Sequence, residues 1–207
     1  MNLFYLDEDH DLNAQYHVDK HVVKMILEAC EMLCQAYWVQ EVIGFTPREL
    51  NKEEYAQVCK ERGKWLKIDP EARPYPYLGY NSHINHPSTI WVRSSRTNFE
   101  WTYNYAYTLD KERLYRNPKG VPEHRGLVLL KKVKDIDMPD KGFTKFALAM
   151  KTMKQVRPDL YDEDRPVWSY RNFYMLDKAT FANWKGREKP PWWDENLASY
   201  DQRISQK

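Results

Sequence analysis

Glycine is scarce in this chain, seven residues in 207. None of them falls into a phosphate-cradling loop, a dinucleotide fingerprint, a Gly-x-Ser-x-Gly elbow or a helix-hairpin-helix motif. Nucleotide-driven motors, nicotinamide dehydrogenases and serine hydrolases are thereby set aside. Cysteine is scarcer still: Cys30, Cys34 and Cys59 are odd in number, and the first two, one helical turn apart on an apolar face, read as reduced core residues. No apolar run approaches the roughly 20 residues needed to span a bilayer, so no membrane partner is expected. The opening Met-Asn-Leu-Phe-Tyr-Leu is too short for a signal peptide and has no basic lead. A cytoplasmic protein is the expectation.

What the chain does have is 14% aromatic and 30% charged residues, the composition of a folded globule able to bury a real core. With no repeat, low-complexity tract or linker, residues 1–207 are expected to form a single compact domain, mainly α. Its non-helical parts would be a short N-terminal extended segment, an irregular loop rich in proline and aromatics, and a C-terminal tail. The expected helices run from about Asp11 to Val42, from Thr46-Pro47-Arg48-Glu49 to about Trp65, from Pro87 to about Tyr115, over Phe143–Met153, and over Pro166–Trp184. The loop carries Pro70, Pro74, Pro76 and Pro87, with Tyr75, Tyr77 and Tyr80 between them. Asp7-Glu8-Asp9 suits the positive end of the first helix.

Within that helix the polar residues are not scattered. At about 100° per residue, His10, Asn13, His17, Lys20, His21, Lys24 and Glu28 share an arc of roughly 100°. Leu12, Tyr16, Val23, Ile26, Leu27, Cys30, Cys34 and Tyr37 form the apolar stripe expected to face the core, with Asp19 in its middle. Three imidazoles and two amines in one stripe point to a site. An amine becomes a nucleophile when its surroundings favour the neutral form, so Asp19 and Lys20 are the candidate reacting pair, with His17, His21 or His86 for proton transfer. The competing reading of Asp19 is a buried ion pair fixing helix packing, with Arg93, Arg165 or Arg171 as partner. His17-x3-His21 and His83-x2-His86 also have metal-ligand spacing, but no His-Glu-x-x-His or clustered acid pattern completes a ligand set, and no metal or cofactor is assigned.

Asn85-His86-Pro87-Ser88-Thr89-Ile90-Trp91-Val92-Arg93 places small polar groups at a helix start. Asn85, Ser88, Thr89 and Arg93 there suit a phosphate, and N-capping is the plainer alternative. Between Arg165 and Tyr174 cations alternate with flat rings, a pattern fit for stacking bases and holding phosphate or simply for an amphipathic core helix. Lys24, Arg93, Arg165 and Arg171 are the candidate phosphate contacts, and Trp91, Tyr170 and Tyr174 the candidate stacking rings. Charge is uneven: residues 1–60 hold eleven acids against five Lys and Arg, a balance of −6, whereas Arg113 to Arg157 hold twelve Lys and Arg against four acids, a balance of +8. That second segment is either a solvated surface or one that faces a polyanion.

Phe4-Tyr5-Leu6-Asp7-Glu8-Asp9, Tyr16-His17-Val18-Asp19-Lys20-His21-Val22-Val23-Lys24-Met25-Ile26-Leu27-Glu28, Asn85-His86-Pro87 with Trp91-Val92-Arg93, and Tyr170-Arg171-Asn172-Phe173-Tyr174 together resemble a family of small phage proteins. That family is described as similar to pyrimidine-dimer DNA glycosylases and is linked to phage pathways that hypermodify thymine. The resemblance implies a helical, glycosylase-like fold, DNA as partner with an extruded pyrimidine, and the host cytoplasm as location. The well-studied glycosylases use an N-terminal amine with a glutamate. This chain begins Met1-Asn2 where theirs exposes a threonine, so no catalytic residue is carried over. The leading expectation is excision of a damaged or modified pyrimidine. The alternatives are a transferase joining a small amine or amino acid to an activated 5-hydroxymethyl pyrimidine, a non-catalytic DNA-binding host-takeover protein, and a metal-dependent hydrolase.

Overall fold

The computed structural model describes residues 2–69, 83–131 and 135–198. Pro70, Pro74, Pro76, Tyr75, Tyr77 and Tyr80 lie outside the described residues. Among those described the chain is helical and contains no strand. The helices are α1 (His10–Tyr16), α2 (Asp19–Val42), α3 (Lys52–Trp65), α4 (Pro87–Val92), α5 (Arg96–Arg116), α6 (Arg125–Leu130), α7 (Lys151–Val156) and α8 (Pro166–Lys178).

Helices α2 and α5 form the central pair, with α1 against α5 and with α3, α4 and α6 against α2. The N-terminal segment Leu3–Leu6 is extended and fully inside, packed with Tyr105, Tyr170 and Tyr174. Because α2 is covered on several sides, its buried residues run almost all round it, as expected for a helix at the centre of a core. Helix α6, not anticipated, approaches α2 so closely that a Cβ on Gly126 would stand 2.8 Å from the Cys30 sulfur. Glycine is required there.

Four expected helices are broken or displaced, each by a side chain from elsewhere in the chain that takes backbone groups a continuous helix would use. The first is split at His17 and Val18, both extended (ψ 136° and 153°). Arg116 donates to the Gln15 and His17 carbonyls at 2.9 Å each, the Trp184 indole donates to the Tyr16 carbonyl at 2.9 Å, and the Asp19 amide donates to Asn183 at 2.9 Å. The end and the start exposed by the break are thus both satisfied.

The second helix begins at Lys52, not at Thr46, because Asn51 and Glu54 form the reciprocal capping box. The Thr46 and Arg48 carbonyls are already held by Arg93, at 2.9 and 2.6 Å. The third is divided between Val92 and Arg96. There Asp140 receives Ser95 and Thr97 hydroxyls at 2.9 and 2.7 Å, and Asn98 donates to the Trp91 carbonyl at 2.8 Å. Residues 143–150 are not helical: Thr144 exchanges hydrogen bonds with Asn98 and accepts the Trp91 indole instead. Helix α8 starts at Pro166 as expected but ends at Lys178, followed by a 3-10 turn over Ala179–Phe181.

The direction of the first stripe is also corrected. Asn13, His17, His21 and Glu28 are buried, whereas Leu12, Val23 and Leu27 are 39, 53 and 42% exposed. The polar stripe turns Asn13, His17, His21 and Glu28 inward and leaves Lys20 and Lys24 exposed. It can do so because the opposing surface supplies tyrosine hydroxyls and backbone partners, which compensate the loss of water. Cys30 and Cys34 are buried free thiols.

A candidate cationic and aromatic site around the start of α2

His17 is the innermost member. Its Nδ1 lies 2.6 Å from the Asn13 carbonyl, which can only accept, so that nitrogen carries the proton. Its Nε2 therefore accepts from the Tyr105 hydroxyl at 2.8 Å, and Tyr105 in turn accepts the Phe4 amide. Burial pushes His17 down to about 3. It is a neutral ring locked in one tautomer at neutral pH, and it ties α1, α5 and the N-terminal segment together.

His21 is one helical turn further on. Its Nδ1 lies 2.6 Å from the Tyr174 hydroxyl, whose oxygen accepts the Val18 amide, so the tyrosine proton points to the histidine and His21 keeps its own proton on Nε2. Burial, then the Lys178 and Lys24 ammonium groups, push His21 down to about 3. The ring stacks on Phe4 at 4.7 Å and 6°, and Phe181 meets it edge-on at 5.7 Å. Around these rings lie three ammonium groups. Lys20 sits 4.9 Å above Phe181, Lys178 lies 5.2 Å from the Phe173 centroid, and Lys24 reaches Glu28 at 3.1 Å. Glu28 also accepts the Asn2 amide at 2.8 Å, which fixes the carboxylate at the inner edge of the cluster. Asp177, paired with Lys178, is the other acid nearby.

Asp19 belongs elsewhere. Its carboxylate accepts Arg116 at 2.8 Å, Asn183 at 2.6 Å and the Lys185 amide at 3.0 and 3.2 Å. Arg116 continues to Glu112, which Arg187 clamps with two hydrogen bonds. Burial works against the Glu112 charge, but the two guanidinium groups outweigh it and hold its carboxyl below the usual range. No ion pair joins Asp19 to Lys20 among the described residues. The expected arginine partner of Asp19 is thus Arg116, not Arg93, Arg165 or Arg171.

The remaining candidates are dispersed. Arg93 is buried, and its guanidinium donates to the Thr46, Ile84 and Arg48 carbonyls. Burial lowers it to about 10. His86 caps α4 by accepting the Ser88 amide at 3.2 Å, and burial lowers it to about 4. Asn85 pairs with both backbone groups of Leu50. Ser88, Thr89 and Trp91 are buried. This helix start is therefore occupied by the protein's own groups.

On α8, Tyr170 is buried with its hydroxyl 2.7 Å from Asn2, and Tyr174 is buried on His21. Arg171 holds the Leu6 carbonyl and Asp7. Arg165 pairs with Asp162 and lies 4.3 Å from the Trp168 ring on the surface. Part of the basic segment is paired with acids: Lys131 with Glu123, Lys145 with Asp164, Lys154 with Glu163 and Arg157 with Asp159. Three of these acids lie outside the segment, so the pairs offset part of its +8 balance.

Of the expected residues, the structure brings together His17, Lys20, His21, Lys24 and Tyr174. It adds Phe4, Glu28, Tyr105, Lys178 and Phe181, which the sequence reading did not select as site residues. Glu28 was visible as the fourth-residue partner of Lys24, and Lys178 as the residue four beyond Tyr174. Nothing local marked Tyr105 or Phe181. Among the described residues no three His, Cys, Asp or Glu side chains are grouped as metal ligands, and no helix is long and apolar enough to cross a membrane. No protein-family model, no curated protein and no solved structure matches the chain.

Proposed function

We propose that this protein binds DNA and acts on a pyrimidine base, most simply by excision of a damaged or modified one. The observation that carries this reading is the placement of Lys20, Lys24 and Lys178 over and beside the rings of Phe4, Phe173 and Phe181 around His21. Ammonium groups suit phosphates, and flat rings suit an extruded base. The sequence resemblance to glycosylase-like phage proteins points the same way.

In the excision step a lysine amine attacks C1′ of the nucleotide and the pyrimidine departs with a proton. The amine's remaining proton then passes to O4′ as the C1′–O4′ bond breaks, and the opened sugar is held to the lysine as an imine. Asp19, committed to Arg116, leaves this scheme, and Glu28 takes its place as the carboxylate nearest the amines, 3.1 Å from Lys24. Lys20 and Lys24 are the two candidate nucleophiles. His21, with its proton on Nε2, is placed to orient the base.

Borohydride trapping on duplex DNA carrying modified pyrimidines or abasic sites tests this. A covalent adduct is expected that is lost in Lys20→Ala or in Lys24→Ala but not in both, since one amine attacks. DNA binding without an adduct on any such substrate removes the excision chemistry and leaves transfer or binding alone. Absence of DNA binding removes the reading altogether.

A further inference from the structure

The start of α2 has a second face. At about 100° per residue, Val22 and Val23 point away from His21 and toward the side of Asp19. These three residues form one wall of a cavity of about 560 Å³. That is within the 300–1,000 Å³ typical of small-molecule sites. The end of α5 forms the facing wall with Arg113 and Arg116, and Val121, His124 and Lys185 close the sides.

The hydrogen-bonding capacity of this lining is unevenly used. The Asp19 carboxylate is satisfied by Arg116, Asn183 and the Lys185 amide, and Arg116 spends Nε, Nη1 and Nη2 within the protein. Arg113 gives Nε to Asp110 at 2.6 Å and Nη2 to the Val121 carbonyl at 2.8 Å. Its Nη1 meets no acceptor among the described residues. Nor does the Lys185 ammonium, on an exposed residue, meet a carboxylate among them. His124 accepts the Gly126 amide at Nδ1, 3.1 Å away, so the neutral ring carries its proton on Nε2. Asp110 and Glu112 lie behind this wall, already paired with Arg113 and with Arg116 and Arg187. The cavity therefore offers Arg113, Lys185 and His124 as donors, two of them cationic, beside the neutral amide of Asn117, which can donate or accept, while its carboxylate is already bonded. Its mouth is apolar: Val23 and Val121 are 53 and 65% exposed.

We infer that this cavity binds a small organic anion. The acidic head, a carboxylate or a phosphate, is held by Arg113, Lys185 and His124, and the apolar body lies between Val22, Val23 and Val121. An inorganic anion would use the donors and leave the valines wet. A cation would face Arg113 and Lys185 and find a saturated carboxylate and a neutral amide, Asn117. The inference does not rest on the DNA reading, since these side chains lie across α2 from His21.

Calorimetric titration of the full chain tests it, with phenyl phosphate and phenylacetate as probes of the two head groups and with inorganic phosphate and benzylamine as controls. At least one aromatic anion is expected to bind about tenfold or more tightly than inorganic phosphate, and the tighter of the two names the head group. Lys185→Glu is expected to weaken that binding about tenfold or more, and Val23→Trp, which fills the mouth from an exposed helix position, to abolish it. Both positions are at the surface, and an unchanged circular dichroism melt confirms that the variants fold. The inference is overturned if neither aromatic anion binds, if inorganic phosphate binds equally well, if benzylamine binds as tightly, or if both folded variants retain wild-type affinity.

Discussion

Two successive residues of α2 show how differently one helix start is used. Asp19 is bound by a guanidinium, a side-chain amide and a backbone amide, and it anchors the break between α1 and α2. Lys20, by contrast, lies over an aromatic face and has no carboxylate partner among the described residues. The same division separates the buried side chains His17, His21 and Arg116, which hold elements together, from the exposed Lys20 and Lys24, whose charges face solvent. A polar residue in the interior is evidence of construction, and only the groups left with spare capacity are free to meet a ligand.

Breaking the anchored side should have the largest effect. Arg116→Ala would leave Asp19 and Glu112 facing each other's neighbourhood without this cation and would unsatisfy the Gln15 and His17 carbonyls. The expected loss is about 5 kcal/mol, the upper end for a broken buried pair, read as a lower urea midpoint.

Acid should act on the same construction. His17 and His21 titrate at about 3 in the folded chain and near 6.5 when unfolded, so the unfolded state binds more protons in between. Their contribution is intact above about pH 6.5 and is lost as pH falls toward 3. At pH 5.5 the two together should cost about 3 kcal/mol. Unfolding curves at pH 7.5 and 5.5 check this, and a His17→Gln, His21→Gln double variant should flatten the difference. A smaller cut sharpens the point. Tyr105→Phe removes the donor to His17 and the acceptor for Phe4, for about 2 kcal/mol, with no change in the response of DNA binding to salt.

This contrast also explains what was legible in the sequence. Helical class, the polar stripe, the proline start of α8 and the buried thiols were all readable, because each depends on local pattern. The breaks at His17, Thr46 and Ser95 were not, because Arg116, Arg93 and Asp140 make them from 45 to 99 residues away. Periodicity marked the stripe as unusual but did not show that Asn13, His17, His21 and Glu28 turn inward while Lys20 and Lys24 stay exposed. A helical wheel has two sides, and which one is covered depends on partners such as Tyr105 and Tyr174 that no local window contains.

The weakest effect on stability should carry the strongest effect on binding. Lys20→Ala and Lys24→Ala remove exposed side chains, and Glu28, which loses Lys24, keeps the Asn2 amide, so each should shift stability by about 1 kcal/mol or less. If these ammonium groups meet phosphates, each loss should reduce the slope of log affinity against log salt by about 0.9 on duplex DNA. Asp19→Asn should do the reverse, lowering the urea midpoint while leaving that slope alone. Fluorescence anisotropy over a salt series separates the outcomes. Equal salt slopes for wild type and both lysine variants would show that the cationic face does not contact the phosphate backbone, and the division between anchored and available charge would then hold for stability but not for binding.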